Sequence, residues 1–173
     1  MSSPPPSSDR LRYGQGYMVP TPTLCAVASI DDVRTLIALD NGLASVSTVR
    51  PDGTLQSTVV NAGIVPHPVS ERPVAAFVAR EGTHKLNHLR GDPRATLLWR
   101  AGWAWATVEG TAELCGPDDP LQGVDSEGLR LLLREIFEAA GGKHEDFAEY
   151  DRVMEAERRV AVLVSPTRIY QNP

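Results

Sequence analysis

The segment Arg80-Glu81-Gly82-Thr83-His84-Lys85 gathers the residue types that hold an anion. Arg80 and Lys85 supply positive charge. Thr83 supplies a hydroxyl that can cap a helix or donate to an oxygen, and Gly82 has no side chain to keep a ligand off the backbone. A helix beginning here would add free N–H groups and a partial positive charge. Phosphate or carboxylate is the ligand such a set suits. The same pattern also fits a capped helix with solvated charges.

Charge is spread unevenly around this segment. The chain carries a formal charge of −5, from 17 Lys and Arg against 22 Asp and Glu. Between Val74 and Arg100, five basic residues (Arg80, Lys85, Arg90, Arg94, Arg100) stand against two acids, Glu81 and Asp92. From Glu113 to Glu157 there are 13 acids and four basic residues. A basic centre in an acidic chain fits one anionic ligand and argues against the broad basic footprint of nucleic-acid binding. Only Lys85 and Lys143 are lysines, a bias that hints at a GC-rich genome.

Other constellations are weaker. His84 and His88, with Glu81 one turn earlier, could share a helix face as metal ligands do. The zinc-protease order is absent and two histidines on a basic turn suit a solvated surface, so no metal is expected. Trp99, Trp103 and Trp105 flank a turn, with Trp103 and Trp105 on one strand face. They can meet a planar ligand, line a dimer interface or fill a core. Ser47, Ser57 and Ser165 lack a nucleophile-elbow context, and His67 lies between two prolines. Asp118, Asp119 and Asp125 do not form a calcium loop. Glu109, beside Gly110, is a candidate cross-strand partner. No catalytic side chain is assigned.

The elements that would position these residues follow from periodicity and punctuation. Ser29 caps a helix from Ile30 that ends at Asn41-Gly42. Leu43–Val49 and Thr54–Val60 form a hairpin around Arg50-Pro51-Asp52-Gly53. The link from Gly63 to Pro73 reads as a loop, then Val74–Ala79 as a strand. Thr83 caps a short helix to Leu89, broken by Gly91-Asp92-Pro93. Ala95–Trp99 and Trp103–Leu114 are strands joined at Ala101-Gly102. Asp125 or Ser126 caps a helix burying Leu129, Leu132, Leu133, Ile136 and Phe137. A second helix spans about Glu145 to Arg158. Val160–Val164 is the last core strand, interrupted by Pro166, with Arg168-Ile169-Tyr170 as its candidate continuation. Hairpin-linked strands predict an α+β fold, mainly an antiparallel barrel with appended helices, and no dinucleotide-binding or Walker loop is present. Residues 1–22, rich in Pro and Ser, read as a flexible tail that Tyr13 and Tyr17 could dock, and residues 23–173 as one domain. Two cysteines, Cys25 and Cys115, give no disulfide framework, and there is neither an apolar membrane span nor a signal-peptide core, so a cytoplasmic protein is expected.

Three stretches together resemble a known family. They are Leu43-Ala44 and Val46 through Arg50-Pro51-Asp52-Gly53, Thr83 through Ala95, and Val108-Glu109-Gly110-Thr111-Ala112-Glu113-Leu114. They are similar to the pyridoxamine 5′-phosphate oxidase-like superfamily, of the FMN-binding split β-barrel type. Lys85 through Leu89-Arg90, Asp92-Pro93-Arg94 and the Val108–Leu114 stretch are the most specific part. The end of the chain, from Glu145 through Arg158-Arg159-Val160 to Ile169-Tyr170, is similar to the actinobacterial branch that uses the deazaflavin coenzyme F420. The resemblance covers about residues 30 to 170.

The resemblance implies a homodimer with two cofactor sites at the subunit interface. It puts Lys85 on the phosphate-bearing tail of the cofactor. Thr83 and His84 stand where relatives often carry Ser or Arg, which leaves Arg80 or His84 to compensate. Thr58, Val59, Val60 and Asn61 would meet the ring, Val78 and Ala79 would flank it, and Trp103 or Trp105 would reach the partner's site. The implied reaction is hydride transfer from reduced F420 to an electrophilic double bond of a small or polycyclic substrate. In such enzymes the cofactor carries the chemistry. The alternatives are an FMN-dependent oxidoreductase of the same fold and a non-catalytic dimer binding flavin, haem or another tetrapyrrole. Pyridoxal-phosphate synthesis itself is not expected, because the stretch around Tyr170 lacks a basic substrate-binding end.

Overall fold

A computed structural model describes residues 26–172 of the chain. The tail expected over residues 1–22, with Tyr13 and Tyr17, lies outside the described residues, as do Leu24 and Cys25. Ser29 opens α1 (Ile30–Leu39) through a reciprocal capping box: its N–H donates to Asp32 Oδ2 at 2.7 Å, and its Oγ accepts from the Asp32 N–H at 3.3 Å. Asn41 and Gly42, both at positive φ, turn the chain into β2 (Leu43–Val49). The hairpin to β3 (Leu55–Pro66) closes at Gly53, whose N–H donates to the Arg50 carbonyl at 2.9 Å with φ at +82°. Then follow β4 (Pro73–Arg80), α2 (His84–Gly91), β5 (Arg94–Ala101), β6 (Ala104–Cys115), α3 (Ser126–Ala139), α4 (Phe147–Ala156) and β7 (Arg159–Gln171).

All strand pairings are antiparallel, in the order β7-β4-β3-β2-β5-β6, and β6 pairs back onto β7. The result is a six-stranded antiparallel barrel with four helices, the α+β fold expected. A short β1 (Ala26–Val27) adds to the far end of β7. Inward residues in register across the strands, such as Val46, Leu97 and Val108, fill the interior with Phe77, Trp99 and Val162. Leu86 and Leu89 of α2 join this core, and the Trp99 Nε1–H donates to the Ala62 carbonyl at 3.1 Å. A second apolar layer lies outside, where Leu132, Leu133 and Ile136 of α3 and Tyr150 of α4 pack with Val65, Val74, Ala76 and Leu163. Full burial of one such side chain is worth about 1.5–3 kcal/mol.

The structure corrects several expected boundaries. Residues Gly63 to Pro66, expected in a loop, continue β3 and pair with β4 from Gly63↔Ala76 to Pro66↔Pro73. Gly63 marks a close approach and not a turn: a Cβ there would stand 2.5 Å from the Ala139 backbone. Pro166 does not interrupt the last strand. It lies beyond the final β4 partner, Val164, and opposite Gly110, where the β6–β7 register shifts and a bulge absorbs it. The helix expected from Glu145 begins at Phe147, because the Asp146 carboxylate caps the N–H groups of Ala148 and Glu149.

Gly63→Ala would push α3 away from the barrel and is expected to cost about 1–3 kcal/mol. Gly91→Ala, with open space at the end of α2, is expected to be neutral or slightly stabilising. Urea denaturation of the two variants beside the parent checks this contrast.

Candidate functional site

The barrel opens between β3 and β4. Their pairing runs from Pro66↔Pro73 only as far as Ala62↔Phe77. Beyond that point β3 pairs with β2 alone, down to Leu55, while β4 crosses to β7 from Ala75↔Val164 to Arg80↔Arg159. The same register carried further would have set Asn61, Val60 and Val59 against Val78, Ala79 and Arg80. Six of the expected site residues therefore bound one gap, with Thr58 next along the β3 side. The facing edges of the gap are strand edges with no ladder partner, so their N–H and C=O groups can serve the heteroatoms of a planar ring. Inside the gap the walls are apolar: Ala79 is buried in the barrel core and Val60 packs against it.

The Gly82–Lys85 segment leads from β4 into α2 at the mouth of this gap. Gly82 has φ +79° and open space around its Cα. Thr83 occupies the N-cap position of α2 but makes no capping hydrogen bond, contrary to expectation. Its Oγ1 is buried without a partner among the described residues, and so is Thr58 Oγ1. A buried hydroxyl without a partner costs roughly 1–3 kcal/mol, so two of them bordering one gap point to a missing acceptor. Lys85 is half-buried and forms no ion pair among the described residues. Burial, with help from the positive charge of Arg159, holds its pKa below the usual lysine range.

Arg159 is the residue that reading the sequence missed. It lies just past the acidic stretch that ends at Glu157, and the pairing Arg80↔Arg159 brings it beside the anion segment. Other members of the basic centre drop out. Arg90 is fully engaged, donating to both oxygens of Glu81 at 3.1 and 2.8 Å, both of Asp119 at 3.0 and 2.7 Å, and Asn87 Oδ1 at 3.2 Å. Arg94 pairs with Asp92, holding that carboxyl down at about 2. The local cations are thus Arg80, Lys85 and Arg159, with the Glu157 carboxylate held by Arg159 at 2.6 Å. Arg90 clamps the approach to α2 against the loop after β6 and keeps Glu81 ionised below its usual range.

The remaining candidates are placed as follows. Val59 points outward and is 66% exposed, and the Asn61 side chain donates to the Asn41 carbonyl at 3.0 Å. His84 is exposed and stacks on His88 at 6.4 Å. His88 turns inward, with Nδ1 3.1 Å from Thr48 Oγ1, and Glu81 is spent on Arg90, so these three do not converge. No group of three metal-ligating side chains forms among the described residues. The tryptophans separate: Trp99 is core, Trp105 packs edge-on against Tyr170, and Trp103 sits in the turn before β6, 82% exposed. Trp103 and Trp105 therefore do not share a strand face. His67 holds its own turn by accepting from the N–H groups of Val69 and Ser70 at 3.2 Å. Glu109 accepts from the Tyr170 hydroxyl at 2.8 Å, the cross-strand role expected of it.

A barrel split along one seam, with unpaired strand edges and a cationic helix start at its mouth, is the split-barrel class. The chain belongs to the pyridoxamine 5′-phosphate oxidase family, whose profile matches residues 29–172. A conserved hypothetical protein of Mycobacterium tuberculosis superposes with a TM-score of 0.62 at 18% identity, over 88% of this chain and 89% of that one. An F420 reductase superposes at 0.52 with 17% identity over 79% and 94%. A pyridoxamine 5′-phosphate oxidase-related, FMN-binding protein of Nostoc punctiforme superposes at 0.56 with 13% identity over 80% and 78%. No helix among the described residues is long and apolar enough to cross a membrane.

Thr83→Val removes a buried hydroxyl that lacks a partner. It is expected to leave the unliganded protein as stable or more stable in thermal melts while weakening anion binding several-fold, about 1 kcal/mol. A lowered lysine pKa means that the charged form is lost earlier as pH rises. Inorganic phosphate should therefore bind progressively less well at alkaline pH, and Lys85→Arg should flatten that decline because a guanidinium stays protonated. Calorimetric titration across pH reads both effects.

Proposed function

We propose that this protein is an oxidoreductase that binds reduced coenzyme F420 in the gap between β3 and β4 and delivers a hydride to an electrophilic double bond of a small or polycyclic substrate. The observation that carries this reading is the combination of a half-buried Lys85 that forms no ion pair among the described residues with two buried hydroxyls, Thr58 and Thr83, beside an unpaired strand edge. Lys85, Arg80 and Thr83 would hold the phosphate-bearing tail. The edge from Thr58 to Asn61 would orient the ring, with Val78 and Ala79 against it. F420 supplies the hydride when bound. The chain's own contribution is to bind, orient and keep water from the ring. The F420 reductase among the structural neighbours and the F420-branch resemblance of the C-terminal stretch support this cofactor. FMN is the second reading, supported by the FMN-binding neighbour. A cytoplasmic setting suits the free, buried Cys115 thiol.

A homodimer through the outer face of β3, β2 and β5 is part of this reading. Val59, Ser45 and Leu98 form one cross-strand row there, with exposed Leu43 on the same face. A second copy of the chain would cover it, and the exposed Trp103 could then reach the partner's gap.

Parallel fluorescence titrations with F420 and FMN test the cofactor. F420 is expected to bind at micromolar concentration or better and Lys85→Ala to weaken it about tenfold, roughly 1.4 kcal/mol. Tight FMN binding without F420 affinity would replace the first reading by the second. Sedimentation at micromolar concentration is expected to show a dimer that Val59→Arg splits.

A further inference from the structure

A cavity of about 610 Å³ lies between α3, α4 and the loop that follows β6, and it meets the cations at the mouth of the β3–β4 gap only at Arg159. Its apolar lining comes from separate segments: Cys115 at the end of β6, Leu121 and Val124 in the loop, Leu129 and Leu133 on α3, and Met154 on α4. The volume falls in the range of small-molecule sites. Its wall is fixed in place. The loop is tied to α2 by the Arg90–Asp119 pair at 2.7 Å and to the end of α4 by Arg158–Asp118 at 2.6 Å. A cavity whose wall is pinned at two points needs little reorganisation on binding.

The charges around it restrict what can enter. Arg130 grips both oxygens of Glu127, at 2.8 and 2.5 Å, and donates to Asp151 at 2.7 Å. Arg158 is held by Asp118, and Arg159 by Glu157 at 2.6 Å. Every guanidinium bordering the cavity already has a carboxylate. An anion would have to displace one, and no unpaired cation awaits it, in contrast to Lys85 at the gap. Asp125 is likewise occupied, capping α3 through the Gly128 N–H at 2.7 Å.

We propose that this cavity is a second binding site, for a small, uncharged and largely apolar molecule, separate from the anion site at the gap. Among the described residues the guanidiniums at the rim are all paired and the remaining carboxylate of the lining, Glu155, is exposed to solvent, so apolar contact from Leu121, Val124, Leu129, Leu133 and Met154 is the main attraction the cavity offers.

Titration of the full chain with the neutral dye Nile red tests the site. Saturable enhancement of emission is expected, with affinity lowered about tenfold by Val124→Trp and by Met154→Trp, which fill the cavity from the loop and from α4. Lys85→Ala should leave dye affinity unchanged, which separates this site from the anion site. Cys115 gives an independent readout. In a Cys25→Ser background, saturating dye should slow its modification by a small neutral thiosulfonate several-fold. No dye binding, affinity unchanged from the parent in both filled variants with melting temperatures intact, or no protection of Cys115 would each overturn the proposal. The protection experiment decides the matter if either tryptophan variant fails to fold.

Discussion

The parting of β3 from β4 beyond Ala62↔Phe77 is the constraint from which the rest of the molecule follows. A closed barrel has no free edges, and a strand edge inside a protein carries polar groups that must find partners. Here the two strands each keep one ladder, β3 with β2 and β4 with β7, and release the other. The cost is accepted along one short seam. It is also limited, because Leu86 and Leu89 of α2 supply apolar bulk to the same interior and Ala79 keeps the β4 side narrow. An opening of this kind is shaped for something flat with hydrogen-bonding edges, which a strand or a heterocycle can equally be.

Charge placement makes the same seam asymmetric. The Arg80↔Arg159 pairing puts two guanidinium-bearing residues on adjacent strands, and Lys85 lies close enough to feel one of them. Like charges brought together in a half-buried place destabilise the unliganded protein. Glu157 ion-pairs with Arg159 and also feels the charge of Arg80. Nearby, Arg90 shows the opposite arrangement, in which Glu81 and Asp119 satisfy the cation completely. One cluster is closed and structural while the other is left open, and only the open one resembles a place prepared for an outside anion.

Much of this was legible in the sequence, for reasons that differ by element. The hairpin at Arg50-Pro51-Asp52-Gly53 and the capping box at Ser29 are local chemistry, and local chemistry is written in adjacent residues. The segment from Arg80 to Lys85 is a local pattern too, and the residues that border the gap enter through the family resemblance. What could not be read was set by contacts distant along the chain. Gly63, read as the start of a loop, is a close approach to Ala139, and Pro166, read as a break, sits in a bulge opposite Gly110. A count of charges along the chain makes Arg90 part of the basic centre and leaves Arg159, just past the acidic stretch that ends at Glu157, out of it. Folding reverses both roles, because Asp119 arrives from the loop after β6 and β7 delivers Arg159 beside β4.

The two apolar layers explain why the helices matter to a site they do not form. The barrel core fixes the strands, but β4 and β7, which carry Arg80 and Arg159, are also covered on their outer side by Leu132, Leu133 and Ile136 of α3. Packed on both faces, this pair of strands cannot drift to close the seam. The loop between β6 and α3 then joins the two regions, since its Asp119 holds Arg90 and its Leu121 packs with the outer layer. Strain applied at the outer layer would therefore reach the start of α2 through a single ion-paired side chain, the one direct polar link described between that loop and α2.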